Sequence, residues 1–146
     1  MRELILGGAR SGKSRLAEGR AQACEALGMS IIYIATAEAL DAEMADRLAH
    51  HRAQRPAHWI TVEEPVKLAM ALKTHAAADR CLIVDCLTLW LSALVFKARA
   101  GHQMASGEPI TCDLFWQERQ ALLDTLPTLP GTIIMVSNEI GSGVVP

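Results

Sequence analysis

Leu4-Ile5-Leu6-Gly7-Gly8-Ala9-Arg10-Ser11-Gly12-Lys13-Ser14 joins a short apolar run to a full Gly-x-x-x-x-Gly-Lys-Ser pattern. The apolar triplet reads as a buried strand, and Ser14 to Leu27 reads as a helix that Gly28 ends. A glycine-rich turn placed between strand and helix can wrap its amides around phosphates, and the positive end of the helix attracts the same anion. The pattern therefore assigns Gly7, Gly8, Ala9, Arg10, Ser11, Gly12, Lys13 and Ser14 to a nucleoside triphosphate site. Lys13 would reach the β- and γ-phosphates, and Ser14 would ligate Mg²⁺.

Outward from that loop the chain alternates between two periodicities. Ile31 to Ala35 is an apolar, β-branched strand, and Leu40 to Arg55 a helix with Leu40, Met44 and Leu48 on one side and Pro56 closing it. Trp59 to Val62 reads as a short strand, and Val66 to Ala78 as a helix opened by Pro65. Cys81-Leu82-Ile83-Val84-Asp85 is a continuous apolar strand ending in a carboxylate, followed by a helix from Leu87 to Ala98. Arg99 to Thr111, with Gly101, Gly107 and Pro109, reads as a mobile loop and a candidate lid. A helix from Asp113 to Leu126 and a strand from Thr132 to Val136 complete the series. Strands alternating with helices predict an α/β fold with a mostly parallel sheet covered on both faces.

The 146 residues fit a single P-loop nucleotide-binding domain, 1–146, and 51% hydrophobic against 21% charged residues suits a packed core. A net charge of −2 argues against a nucleic-acid partner, which needs clustered Lys and Arg. No signal peptide is visible, and Leu87 to Phe96 is far shorter than the roughly 20 residues a membrane-spanning helix needs. Cys24, Cys81, Cys86 and Cys112 show no CxxC spacing, and read as reduced thiols of a cytoplasmic protein. Alternation along the strand predicts that Cys81 and Cys86 point to opposite faces.

Three further features carry chemistry. Asp85, at a strand end, suits a Walker-B-type acid that orients Mg²⁺ beside Ser14. His50 and His51 lie within a helix, where about 100° per residue separates them. His51 falls on the Met44/Leu48 side and reads as the inward, structural histidine; His50 lies with Glu43, Asp46, Arg47 and Gln54, so His50 is the outward, chemically available one. The i, i+4 spacing of zinc-binding helices is absent, and spacing alone favours ordinary surface histidines. Asn138-Glu139-Ile140-Gly141-Ser142-Gly143 follows a strand and so should face the phosphate loop.

Together these segments resemble one family, the bifunctional adenosylcobinamide kinase/adenosylcobinamide-phosphate guanylyltransferases of cobalamin biosynthesis. The resemblance is carried by Gly7 to Arg15, Tyr33-Ile34-Ala35-Thr36-Ala37, Asp41-Ala42-Glu43-Met44, Arg47 to Arg52, and Arg55-Pro56-Ala57-His58-Trp59, then by Val84 to Leu91 and Val136 to Pro146. It implies a RecA-like P-loop NTPase fold and two reactions. ATP or GTP first phosphorylates adenosylcobinamide; GTP then yields GMP to the adenosylcobinamide phosphate through a guanylyl-histidine. By matching position that histidine is His50, with Lys13 also catalytic. Arg15, Ala35, Thr36, Ala37, His51, Arg52, Ala53, Gln54, Glu63 and Asp85 are implied in the nucleotide site, and Ser14 and Asp85 in holding Mg²⁺. The family assembles as homo-oligomers, typically trimers.

Two departures stand out. Ala93 occupies a position where many relatives are expected to carry asparagine, and the family continues past Pro146 with another helix and strand, so a C-terminal part is expected to be missing. Two competing readings remain at this level: a plain P-loop small-molecule kinase with His50 a bystander, and a RecA-like ATPase module. The near-neutral charge weighs against the second.

Overall fold

Arg2–Gly7 forms strand β1 and Lys13–Ala26 helix α1; Ser30–Ala35 forms β2 and Ala42–Gln54 α2. Ile60–Glu63 is β3, Leu68–His75 α3, Arg80–Asp85 β4 and Leu87–His102 α4. Asp113–Thr125 is α5, a 3₁₀ turn covers Leu126–Thr128, and Thr132–Asn138 is β5. The computed structural model describes residues 1–7, 12–37, 41–102 and 113–138. The five strands pair in the order β1-β5-β4-β2-β3, and each pairing is parallel.

Apolar residues on both faces of the central strands explain the layering, because a sheet buried on both sides needs continuous apolar runs. Ile32 and Ile34 of β2, Leu82 and Val84 of β4, and Ile133 and Met135 of β5 pack in one cluster with Leu68, Leu72, Trp90, Leu94 and Leu122 of α3, α4 and α5. On the other face Ile31, Tyr33, Cys81, Ile83, Ile134 and Val136 pack with Ala17 and Ala21 of α1. Two alanines one turn apart let α1 lie close to the sheet. The result is the α/β architecture, a parallel sheet covered on both faces, that the alternation predicts.

Several boundaries move, each for a local reason. Helix α3 begins at Leu68 rather than Val66, because the Glu64 carboxylate accepts hydrogen bonds from the Val66 and Lys67 amides at 3.1 and 3.0 Å and makes a turn first. Helix α4 runs on to His102, so Arg99 to His102, expected in the loop, are helical; the Lys97-Ala98-Arg99-Ala100 run is made of strong helix formers. The rest of the expected lid lies outside the described residues. Strand β3 starts one residue late, since Trp59 turns into the core cluster beside α1. Helix α2 opens at Ala42, with the Asp41 side chain accepting from the Met44 amide at 2.7 Å; Leu40 lies outside the described residues. Cys81 and Cys86 share one cluster rather than opposite faces, because the alternation ends with the strand at Asp85.

Gly131, which leads into β5, has φ +78°, and a Cβ there would sit 2.2 Å from the Ala77 carbonyl oxygen and 2.5 Å from that of Arg80. Both obstacles are backbone and cannot swing aside. Gly131→Ala is expected to destabilise the protein by about 2–4 kcal/mol, read as a lower urea midpoint at unchanged slope.

Candidate functional site

The carboxyl ends of the five strands lie along one edge of the sheet. Parallel register sets Ala35 beside both Asp85 and Glu63, and Gly7 beside Asn138. Ligands of open α/β sheets bind at this edge. Gly7 ends β1, and Gly12 caps α1 in the left-handed region at φ +81°, a conformation glycine adopts without a steric penalty. Helix α1 therefore starts at Lys13, with Ser14 and Arg15 exposed in its first turn. Gly8, Ala9, Arg10 and Ser11, the middle of the phosphate loop, lie outside the described residues, as do Glu139 to Gly143.

Asp85 ends β4 and is held from behind. The Tyr33 hydroxyl donates to Asp85 Oδ2, from two residues back on the neighbouring strand. Burial, and then the Asp85 carboxylate, push the Tyr33 phenol well above its ordinary value, so it stays a donor. Above the Tyr33 ring sits Arg55, its guanidinium carbon 3.8 Å from the ring centroid. Arg55 Nε is buried without an acceptor among the described residues.

Thr36, read from the resemblance as a nucleotide neighbour, is buried behind this edge. Its hydroxyl donates to the Cys86 carbonyl at 2.7 Å and accepts from the Cys86 amide at 2.9 Å, while its own amide donates to the Asp85 carbonyl at 3.1 Å. Thr36 thus clamps the end of β2 to the end of β4 and fixes where Asp85 points. Ala35 and Ala37 flank it, both half-buried.

The second carboxylate near Asp85 is Glu18, one turn into α1 from Ser14. Burial raises its pKa; Arg55 opposes the rise, Asp85 adds to it, and His51 and Arg15 oppose it. Those influences place Glu18, Arg55, Asp85, His51 and Arg15 in one electrostatic neighbourhood. A carboxyl whose folded pKa is raised contributes stability that is full below its unfolded value, about 4.3, and is lost as pH rises through the folded one. Relative to wild type, Glu18→Gln is therefore expected to be more stable at pH 7 than at pH 4, measured as the difference in Tm at the two values. Burial also pushes the Cys86 thiol up, partly offset by the Leu89 amide at 3.5 Å; Asp85 adds to the rise and Lys13 opposes it. Cys81 is pushed up to about 12 by burial and then by Cys24.

Helix α2 carries His50, His51, Arg52, Ala53 and Gln54, and buries none of them. The expectation that His51 turns inward fails: both histidines are exposed, because Met44 and Leu48 join neither core cluster and α2 has no buried side. Among the described residues the polar and ring contacts of His50 stay within its own helix. Its Nε2 lies 3.0 Å from Gln54 Nε2, and its ring meets that of His51 edge-on at 6.5 Å. An amide donating to Nε2 leaves the ring proton on Nδ1 and the basic electron pair at Nε2.

Two side-chain contacts lead from this helix end to the sheet. Arg52 pairs with Glu63 at 3.6 Å, but both side chains are more than half exposed, and such pairs contribute roughly 0–1 kcal/mol. A guanidinium on the face of a buried ring is the stronger tie, at about 1–2 kcal/mol. Tyr33, Arg55 and Glu18 are the site residues that the motifs did not single out. A signal existed for the first: Tyr33 is the only tyrosine, it sits in an otherwise apolar strand, and a buried hydroxyl needs a partner. No helix among the described residues is long and apolar enough to cross a membrane, and no group of three or more His, Cys, Asp or Glu among them could hold a metal alone.

Residues 3–146 match the family model described as cobinamide kinase / cobinamide phosphate guanyltransferase. The chain is 56% identical over 146 residues to the bifunctional adenosylcobalamin biosynthesis protein CobP of Pseudomonas aeruginosa, covering all of this chain and 76% of that protein. It is 37% identical over 149 residues to the bifunctional adenosylcobalamin biosynthesis protein CobU of Salmonella typhimurium, covering 98% of this chain and 77% of the relative. The Escherichia coli protein of the same name is 34% identical over 149 residues, with the same coverage.

Proposed function

Because this chain belongs to the cobinamide kinase / cobinamide phosphate guanyltransferase family, we propose that it phosphorylates adenosylcobinamide and then converts the phosphate to adenosylcobinamide-GDP through a guanylyl-histidine at His50. The observation that carries the reading is the pairing of an α1 N-terminus headed by Gly12 and Lys13 with an exposed histidine whose Nε2 accepts from its own helix. In the first reaction the aminopropanol hydroxyl of the substrate attacks the γ-phosphorus of ATP or GTP. Its proton is lost and the nucleoside diphosphate leaves. In the second, His50 Nε2 leaves Gln54 and attacks the α-phosphorus of GTP, forming a P–N bond as pyrophosphate departs. An oxygen of the cobinamide phosphate then attacks that phosphorus, the P–N bond breaks, and the imidazole is restored.

Lys13 and the helix amides face the charge that develops on the leaving phosphates. Mg²⁺ takes hard oxygen ligands and normally shares them with nucleotide phosphates. The Ser14 hydroxyl and Asp85 Oδ1 suit it, since Tyr33 engages the other Asp85 oxygen. When bound, the ion would neutralise phosphate charge. Gly7 to Arg15, Ala35 to Ala37, His51 to Gln54, Glu63 and Asp85 make up the proposed nucleotide site, with Thr36 acting through Asp85. The reading includes one nucleotide-binding domain, a homo-oligomer expected to be a trimer, and a cytoplasmic location; the unpaired Cys24, Cys81 and Cys86 support the last.

GTP labelled at the α-phosphate tests the reading. Wild-type protein should acquire covalent label that acid releases and alkali does not, as a phosphoramidate behaves, and cobinamide phosphate should discharge it. Full occupancy of GTP without covalent label would leave a plain kinase.

A further inference from the structure

We propose that Arg55, seated on the Tyr33 ring, is the positioning residue that holds α2, and with it His50, at the phosphate-binding end of the sheet. The inference rests on the guanylyl-histidine reading and adds how that histidine is placed. A nucleophile must be held within a fraction of an ångström of its target, yet α2 buries no residue and its apolar pair, Met44 and Leu48, joins neither core cluster. Packing does not orient this helix.

Arg55 does so from a specific place. It is the C-cap of α2, the residue immediately after the last helical turn, which carries His51 to Gln54. Its backbone amide donates to the Arg52 carbonyl at 3.3 Å, so it is fastened to the helix. Its side chain lies 3.8 Å above the Tyr33 ring, and Tyr33 is buried in the core and bonded to Asp85. Helix, guanidinium, ring and metal-binding carboxylate therefore form one continuous series of contacts. Four residues on, the chain dives into the core at Trp59, so Arg55 stands where α2 leaves the folded body. Arg52–Glu63, the other tie, is an exposed pair and too weak to replace it.

The kinase reaction uses the phosphate loop and Asp85 but not His50, so loss of this positioning should separate the two activities. Arg55→Ala is expected to slow His50 guanylylation roughly 10- to 100-fold more than it slows the kinase step. The KM for GTP in the kinase reaction should stay within about threefold of wild type. Arg55→Lys, which keeps a cation but loses the planar stack, should give an intermediate separation and also serves if the alanine variant fails to fold. Tyr33→Phe keeps the ring and removes the hydroxyl, and should raise the Mg²⁺ requirement of both reactions without separating them. Equal loss of both activities in Arg55→Ala or Arg55→Lys would overturn the proposal, as would a KM for GTP raised alike in both reactions, which would make Arg55 a phosphate ligand. The two readings fail differently. Label that persists in His50→Ala removes the nucleophile assignment and this inference with it; label confined to His50 with no separation in the Arg55 variants removes the positioning role alone.

Discussion

His50→Ala is expected to abolish covalent guanylylation by α-labelled GTP and to lower adenosylcobinamide-GDP formation by about a thousandfold or more, while phosphorylation of adenosylcobinamide persists. The size follows from the chemistry. Without the imidazole, the cobinamide phosphate, itself an anion, must attack an anionic phosphorus directly, and two moderate displacements collapse into one difficult one. The selectivity follows from placement. His50 is exposed on α2, its polar and ring contacts among the described residues lie within that helix, and it supports neither core cluster, so its removal is expected to leave the fold intact. Thermal melts of the variant should match wild type within a degree or two, as for other surface changes. Persistent label, or equal loss of phosphorylation, would exclude His50 as the nucleophile.

Lys13→Ala should depress both reactions, by about a hundred- to a thousandfold in kcat/KM. Lys13 is the first residue of α1, directly after the left-handed Gly12, and close enough to Cys86 to act on its thiol. Both steps require the triphosphate to be gripped by its β- and γ-phosphates, and a point charge at the helix N-terminus adds to the field of the amides there. Initial rates of γ-phosphoryl transfer and of α-label incorporation, measured on the same preparation, decide the matter. A loss confined to one of them would mean that the two reactions bind nucleotide in different ways.

The contrast between these variants also shows which parts of the site are legible in the residues. The phosphate loop and Asp85 are local patterns: a glycine-rich turn between strand and helix, and a carboxylate at a strand end. Gly7, Gly12 and Asp85 lie at the sheet edge where such patterns place them; residues 8–11 lie outside the described residues. The inward reading of His51 failed because a helical wheel presupposes a core on one side, and α2 has none. The start of α3 moved because the Glu64 side chain, not Pro65, makes the turn. Tyr33, Arg55 and Asp85 were least legible as a group. Their meeting depends on β2 lying next to β4, and alternation of strands and helices is compatible with several strand orders. Thr36 likewise shows its role only once Cys86 is its neighbour.

Strand β1, the first of the described strands, finds its partner among the described residues only in β5, the fifth, with Arg2 opposite Ile133. During synthesis β2, β3 and β4 can pair with one another while β1 waits, since closing so long a loop delays the contacts that reward it. Gly7 ends β1 and Gly12 caps α1, so the frame on either side of the phosphate-loop sequence is complete only when β5 has docked. A half-made chain therefore has strands but no completed site edge, and a ligand held at that edge would stabilise only molecules in which β1 and β5 have paired.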